Sequence, residues 1–85
     1  MEIVICAAVK TDDGQIIRGH RHHDALWAAE TLGLRSGRQD QQGFITSINR
    51  FVGRKEAREI QEAAGIPSAD KDGYHFDELY SEDLY

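Results

Sequence analysis

Sulfur chemistry is almost absent from this chain, since Cys6 is its only cysteine. No intrachain disulfide can form, and no pair of thiolates exists to hold zinc. Cys6 lies in an apolar run, where a small buried hydrophobe is a plainer reading than a reactive thiol. No stretch approaches the ~20 apolar residues of a bilayer-spanning helix. The first residues lack the basic-then-apolar order of a secretory signal, so a soluble, cytosolic chain is expected. A basic excess is missing too. Ten lysines and arginines stand against fifteen aspartates and glutamates, for a formal net charge of −5. That balance argues against a protein that wraps a long nucleic-acid backbone, though not against a local basic pocket for a small anion. No P-loop, G-x-G-x-x-G or HExxH pattern occurs. Ser47 and Ser81 sit in no nucleophile-elbow context, and no carboxylate stands in an obviously apolar stretch. Catalysis therefore has little support, and neither a cofactor nor a metal is expected.

What is present reads as one α+β domain over residues 1–85, with a small antiparallel sheet packed against two helices. Met1–Lys10 is β-branched and apolar, Thr11–Gly14 is an Asp-Gly turn signal, and Gln15–Gly19 resumes an extended pattern. This predicts a hairpin. The first strand shows little polar alternation, so both faces are expected to be covered, the second by another subunit. A first helix is predicted from His23 or Asp24 to a stop at Gly33, with Leu26, Trp27, Ala29 and Leu32 inward. Leu34–Gln42 reads as a polar loop. Gly43–Ser47, within a strand placed near residues 43–48, is followed by a turn at Ile48–Arg50 and a short extended piece at Phe51–Val52. The second helix is predicted from about Gly53 to Ala64, with Ala57, Ile60, Ala63 and Ala64 inward and Gly65 and Pro67 ending it. Ser68–Gly73 reads as a solvated loop. The acidic, aromatic tail Tyr74–Tyr85 is expected to dock its tyrosines, Tyr80 and Tyr85, on the domain or on a neighbouring subunit. A chain this short also completes its core readily by oligomerising.

The most informative stretch is Gly43–Glu56, GFITSINRFVGRKE, which carries Arg50, Arg54 and Lys55 into a helix start. Lys55–Glu59 and Arg58–Glu62 fall at i,i+4 and read as ordinary surface pairs. Arg54 fits that account poorly, because a cation in the first turn opposes the helix dipole unless an anion neutralises it. Phe44 and Phe51 lie nearby; such rings are more often core than stacking platforms. His20-Arg21-His22-His23 invites a metal reading, but His23 would point away from the other two on a strand. A polar strand-to-helix connector is the plainer interpretation, with Arg21 at a strand end well placed for binding.

Three blocks, GFITSINRFVGRKEA (Gly43–Ala57), VKTDDGQIIRGHRH (Val9–His22) and LYSEDLY (Leu79–Tyr85), resemble the Thoeris anti-defence proteins of the first-described type, short phage proteins that act as cyclic ADP-ribose sponges. The resemblance implies a non-enzymatic function in the cytoplasm of the infected bacterial host. There the protein would bind glycocyclic ADP-ribose, and in some members cyclic oligonucleotides, and hold the signal uncleaved. It also implies a homo-oligomer, as dimers that assemble into hexamers. Arg54 matches the arginine of the family's V-D-R-K-E block and Arg21 the arginine after the first hairpin, both expected on ligand phosphates. Phe44 is then a candidate for base stacking and Asn49 for a polar contact. Arg50, Phe51 and His20 complete the candidate ligand set. Gly53 stands where the family pattern has aspartate, which leaves the ligand preference open.

Two other readings compete. The acidic surface and tail suit an interaction protein that inhibits a host enzyme by imitating nucleic acid. A hydrolase of the signal would use His20 or His22 as general base.

Overall fold

Pairing of the first two predicted strands sets up the sheet. The structure, a computed structural model, describes residues 1–35, 38–69 and 78–84. Strand β1 (Val4–Lys10) turns back into β2 (Ile16–Gly19). The Thr11 hydroxyl pins this turn, accepting the Gln15 N–H at 3.0 Å and donating to the Asp13 carboxylate. Strand β3 (Gln42–Thr46) pairs with the other edge of β1, and β4 (Phe51–Gly53) lies beyond it. The result is a four-stranded antiparallel sheet of order β2–β1–β3–β4. The extended piece expected at Phe51–Val52 is therefore a fourth strand. β3 ends at Thr46, since the following residues turn, with Asn49 in the left-handed region at φ +62° and its N–H on the Thr46 carbonyl at 2.9 Å.

Helix α1 (His22–Thr31) starts slightly earlier than expected and presents a different face. His22, Ala25 and Ala29 point inward, whereas Trp27 and Leu32 are 69 % and 66 % exposed. The reason is close approach. A Cβ placed on Gly19 would lie 2.6 Å from the Ala25 nitrogen, so the helix rides almost on the backbone of β2. Only small side chains fit such a contact, and an indole does not. Ala25 and Ala29 pack with Val9, and Ile17, Leu26 and Leu34 close the edges.

Helix α2 (Arg54–Ala63) covers β3 and β4 from the same side. Ala57 is inward as expected and Ile60 is half-buried, but Ala63 is exposed. Gln61 is buried instead, because its Oε1 accepts the Val4 N–H at 2.9 Å and so caps the start of β1. The expected helix stops at Gly33 and Gly65 both follow the helix ends.

The second core cluster joins Val4, Ala7, Phe44, Val52, Ala57 and Leu79, with Ile60 and Leu84 against it. Ala7, Ala8 and Val9 are consecutive and all fully buried, so both faces of β1 are covered at that point. At Ala8 this burial arises within one chain, and no second subunit is needed there. Cys6 is half-buried, and burial pushes its thiol pKa up, which suits the inert reading.

The C-terminal segment 79–84 is a strap across the helices. Leu79 is fully buried, and a 3-10 turn, Ser81–Asp83, follows it. Asp83 holds the strap in shape: its carboxylate accepts the Tyr80 N–H at 3.0 Å and the Ser68 hydroxyl at 2.6 Å. Of the predicted loop 68–73 and the tail 74–85, residues 70–77 and Tyr85 lie outside the described residues.

Gly43 gives a direct check on the sheet. A Cβ there would lie 2.2 Å from the Val52 carbonyl oxygen and 2.7 Å from the Phe51 ring. Because backbone must move to make room, Gly43→Ala is expected to destabilise the fold by about 1–3 kcal/mol. Urea unfolding would read this as a lower midpoint with an unchanged slope.

Candidate functional site

The site begins with a three-residue strand feeding a helix. β4 is short, Gly53 leaves it in an extended conformation (φ −73°, ψ 175°), and Arg54 is the first helical residue. The Arg54 guanidinium is held on several sides. Its Nη1 donates to the Leu79 carbonyl at 3.0 Å and its Nη2 to Gln42 Oε1 at 2.9 Å. The group also lies over the Tyr80 ring, 5.0 Å from the centroid. In return, the Leu79 N–H donates to the Arg54 carbonyl at 2.9 Å. A cation at the N-terminal end of a helix thus meets two oxygen dipoles and a π face, which offsets the unfavourable dipole contact.

Beside this clamp lies an open groove of about 670 Å³. The N-cap Gly53 and the first-turn residues Arg54, Lys55 and Glu56 line it together with Asp40, Gln42 and Glu78, the last just before the strap. Lys55 is exposed and, among the described residues, meets no carboxylate; the expected pair with Glu59 is not formed, whereas Arg58–Glu62 is. The groove therefore combines two cations and the N-terminal end of a helix with three carboxylates. Such a set suits a ligand bearing both phosphate and sugar hydroxyls. Its volume falls within the ~300–1,000 Å³ of small-molecule sites.

Of the residues proposed from sequence, Arg54 alone lines this groove directly. Arg50 sits behind it, engaged by both Glu2 oxygens at 2.9 Å and by Glu56 at 3.1 Å. Those hydrogen bonds hold the Glu2 carboxyl below its usual range and raise Arg50 further. Arg21 caps the start of α1, its N–H donating to Asp24 at 3.1 Å, and it does not line the groove. His20 is exposed beside it. Asn49 is at the β3–β4 turn, accepting from Arg18. Phe44 is fully buried and meets His22 edge-on at 4.8 Å, so it is a core ring with no face open to a base. Phe51 is half-buried, with its ring beside Gly43.

His22 was read as part of a polar connector, but the structure makes it a core residue. It is 6 % exposed, with Nε2 2.7 Å from the Gly43 carbonyl and Nδ1 3.3 Å from the Ser81 hydroxyl. A carbonyl can only accept, so Nε2 carries a proton. His22 thereby ties α1, β3 and the strap together. His20 is exposed while His22 faces inward, so the two do not converge on a metal. No cluster of three or more metal-ligating side chains occurs among the described residues. The sequence signal for His22 was its spacing with Ala25 and Ala29, an i, i+3, i+7 stripe.

Among the described residues, no helix is long and apolar enough to cross a membrane. A family model described as Phage T4 y16D protein matches residues 3–85, nearly the whole chain. No curated protein and no solved structure matches it.

Proposed function

The chain belongs to the phage T4 y16D protein family, and we propose that it captures a small cyclic nucleotide signal of host immunity and holds it uncleaved. The ligand class is that of glycocyclic ADP-ribose, with cyclic oligonucleotides as a second group, and the setting is Thoeris-type defence in the infected bacterium. The observation that carries this reading is the groove at the start of α2, where Arg54 and Lys55 stand in the first turn of a helix that has no side-chain cap.

The chemistry divides simply. A pyrophosphate takes the cationic side, where helix N–H donors and a guanidinium give charge-assisted hydrogen bonds. Ribose hydroxyls donate to the carboxylates of Asp40, Glu56 or Glu78. Tyr80, 37 % exposed and already against Arg54, offers a ring for the base in place of Phe44. Capture without turnover needs affinity and enclosure but no general base. An open groove gains both if a second copy of the chain closes over it, which is the role we assign to the homo-oligomer.

Lys55→Gln separates binding from folding, because Lys55 is exposed and makes no ion pair among the described residues. Its loss is expected to weaken cyclic ADP-ribose binding about tenfold while leaving the melting temperature of the unliganded protein almost unchanged. Calorimetric titration reads the first quantity and thermal unfolding the second. Heating the complex and weighing what is released should return the ligand intact. Recovery of a cleaved product would replace sequestration with hydrolysis.

A further inference from the structure

Both lysines among the described residues line grooves, and neither meets a carboxylate there. Lys55 belongs to the groove at α2. Lys10, at the exposed end of β1, belongs to a second groove of about 350 Å³ formed with the hairpin turn and the 3-10 turn Gln39–Gln41. Asp40 lines both grooves, so the two adjoin at that residue.

The floor of the second groove is fixed. Gln41 is 5 % exposed; its side-chain amide donates to Asp12, and its Oε1 accepts the Arg38 N–H at 2.9 Å. The Asp12 N–H reaches the Arg35 carbonyl at 2.8 Å. Asp12 keeps its charge but is tied to the Gln41 amide, and among the described residues Lys10 forms no ion pair with it or with Asp40. Arg38 approaches Asp40 at 3.4 Å, with side chains 71 % and 76 % exposed. A surface pair of this kind contributes little and exchanges readily for another anion.

We propose that this second groove is a second phosphate subsite, and that the protein accepts nucleotides phosphorylated on a ribose hydroxyl as well as in the pyrophosphate. The proposal rests on the reading of the α2 groove given above. The pyrophosphate meets Arg54 and Lys55, the ribose crosses Asp40 with a hydroxyl donating to that carboxylate, and the ribose phosphate meets Lys10 and Arg38. Lys10, which has no ion pair among the described residues, and Arg38, whose pair with Asp40 is exposed, are the cations offered to a second phosphate.

The test is calorimetric titration of the full chain with cyclic ADP-ribose and with cyclic ADP-ribose 2′-phosphate. The 2′-phosphate is expected to bind about tenfold more tightly. Lys10→Gln should erase that gain without changing affinity for cyclic ADP-ribose, whereas Lys55→Gln should weaken both ligands. Equal affinities in the wild type, or a gain that survives Lys10→Gln, would overturn the second subsite alone. Failure of the wild type to bind either compound would overturn the α2 site together with it. Lys10 is exposed, so an unchanged melting temperature is expected for Lys10→Gln and confirms that the comparison reads binding.

Discussion

Leu79→Ala is expected to lower stability by about 2–5 kcal/mol, which in a domain of this size moves the melting temperature by roughly 10–30 °C. The size of the effect follows from the composition of the core. Ala7, Ala8, Ala25, Ala29 and Ala57 account for much of what is buried, and the largest fully buried side chains are Phe44, Leu79, Val9 and Val52. Removing Leu79 deletes one of these and leaves a void bounded by Ala7, Phe44, Val52 and Ala57. Alanine neighbours carry no side-chain torsions with which to collapse into it, so little of the loss is recovered. Small domains hold only about 5–15 kcal/mol in total. Leu79→Met keeps the volume and should cost less than about 1.5 kcal/mol. A fall of only a few degrees for the alanine variant would mean that the strap contributes little to the folded state.

Arg54→Ala is expected to act on both stability and binding. The substitution leaves the Leu79 carbonyl and Gln42 Oε1 without their guanidinium donor and removes the contact with Tyr80. A loss of about 1–3 kcal/mol follows from the hydrogen bonds, at the lower end because Tyr80 is partly exposed. Ligand affinity should fall by about a hundredfold, since both the charge and the fork at the groove disappear. Arg54→Lys retains the charge but cannot span two acceptors in one plane, and is expected to fall between the two. A double-mutant cycle with Tyr80→Ala isolates the stacking contribution. If Arg54→Lys matched the wild type in both stability and affinity, the two-acceptor geometry would be irrelevant.

The elements that announced themselves in sequence did so through local chemistry. The Asp-Gly turn between β-branched runs specifies β1 and β2, and Gly33 and Gly65 follow the helices because chain reversal needs a residue without Cβ constraints. Arg54 was legible for a different reason: a cation in a first helical turn is locally unfavourable and demands a partner. The partner expected was an anion; among the described residues Arg54 meets a carbonyl, an amide oxygen and a ring. The inward face of α1 was misread because size, not hydrophobicity, decides it. Helix and β2 backbone nearly touch at Gly19, so the alanines turn in and Trp27 turns out. His22 and the strap depend on contacts across about sixty residues of chain, from His22 to Ser81, and no periodic pattern encodes such a contact. Arg21, Arg50 and Asn49 were grouped with Arg54 by nearness in sequence or by resemblance. The fold sends Arg21 to the start of α1, turns Arg50 toward Glu2 and Glu56, and places Asn49 at the far end of β4 from the groove.

Capture of a phosphate-bearing ring at the first turn of α2 is best tested by following backbone amide resonances while cyclic ADP-ribose is titrated into the labelled protein. The account predicts the largest, saturable shifts at Gly53, Arg54, Lys55 and Glu56, with smaller ones at Gln42 and Glu78. Shifts that leave these amides unmoved, or that gather on the exposed face of α1 around Trp27, would contradict it.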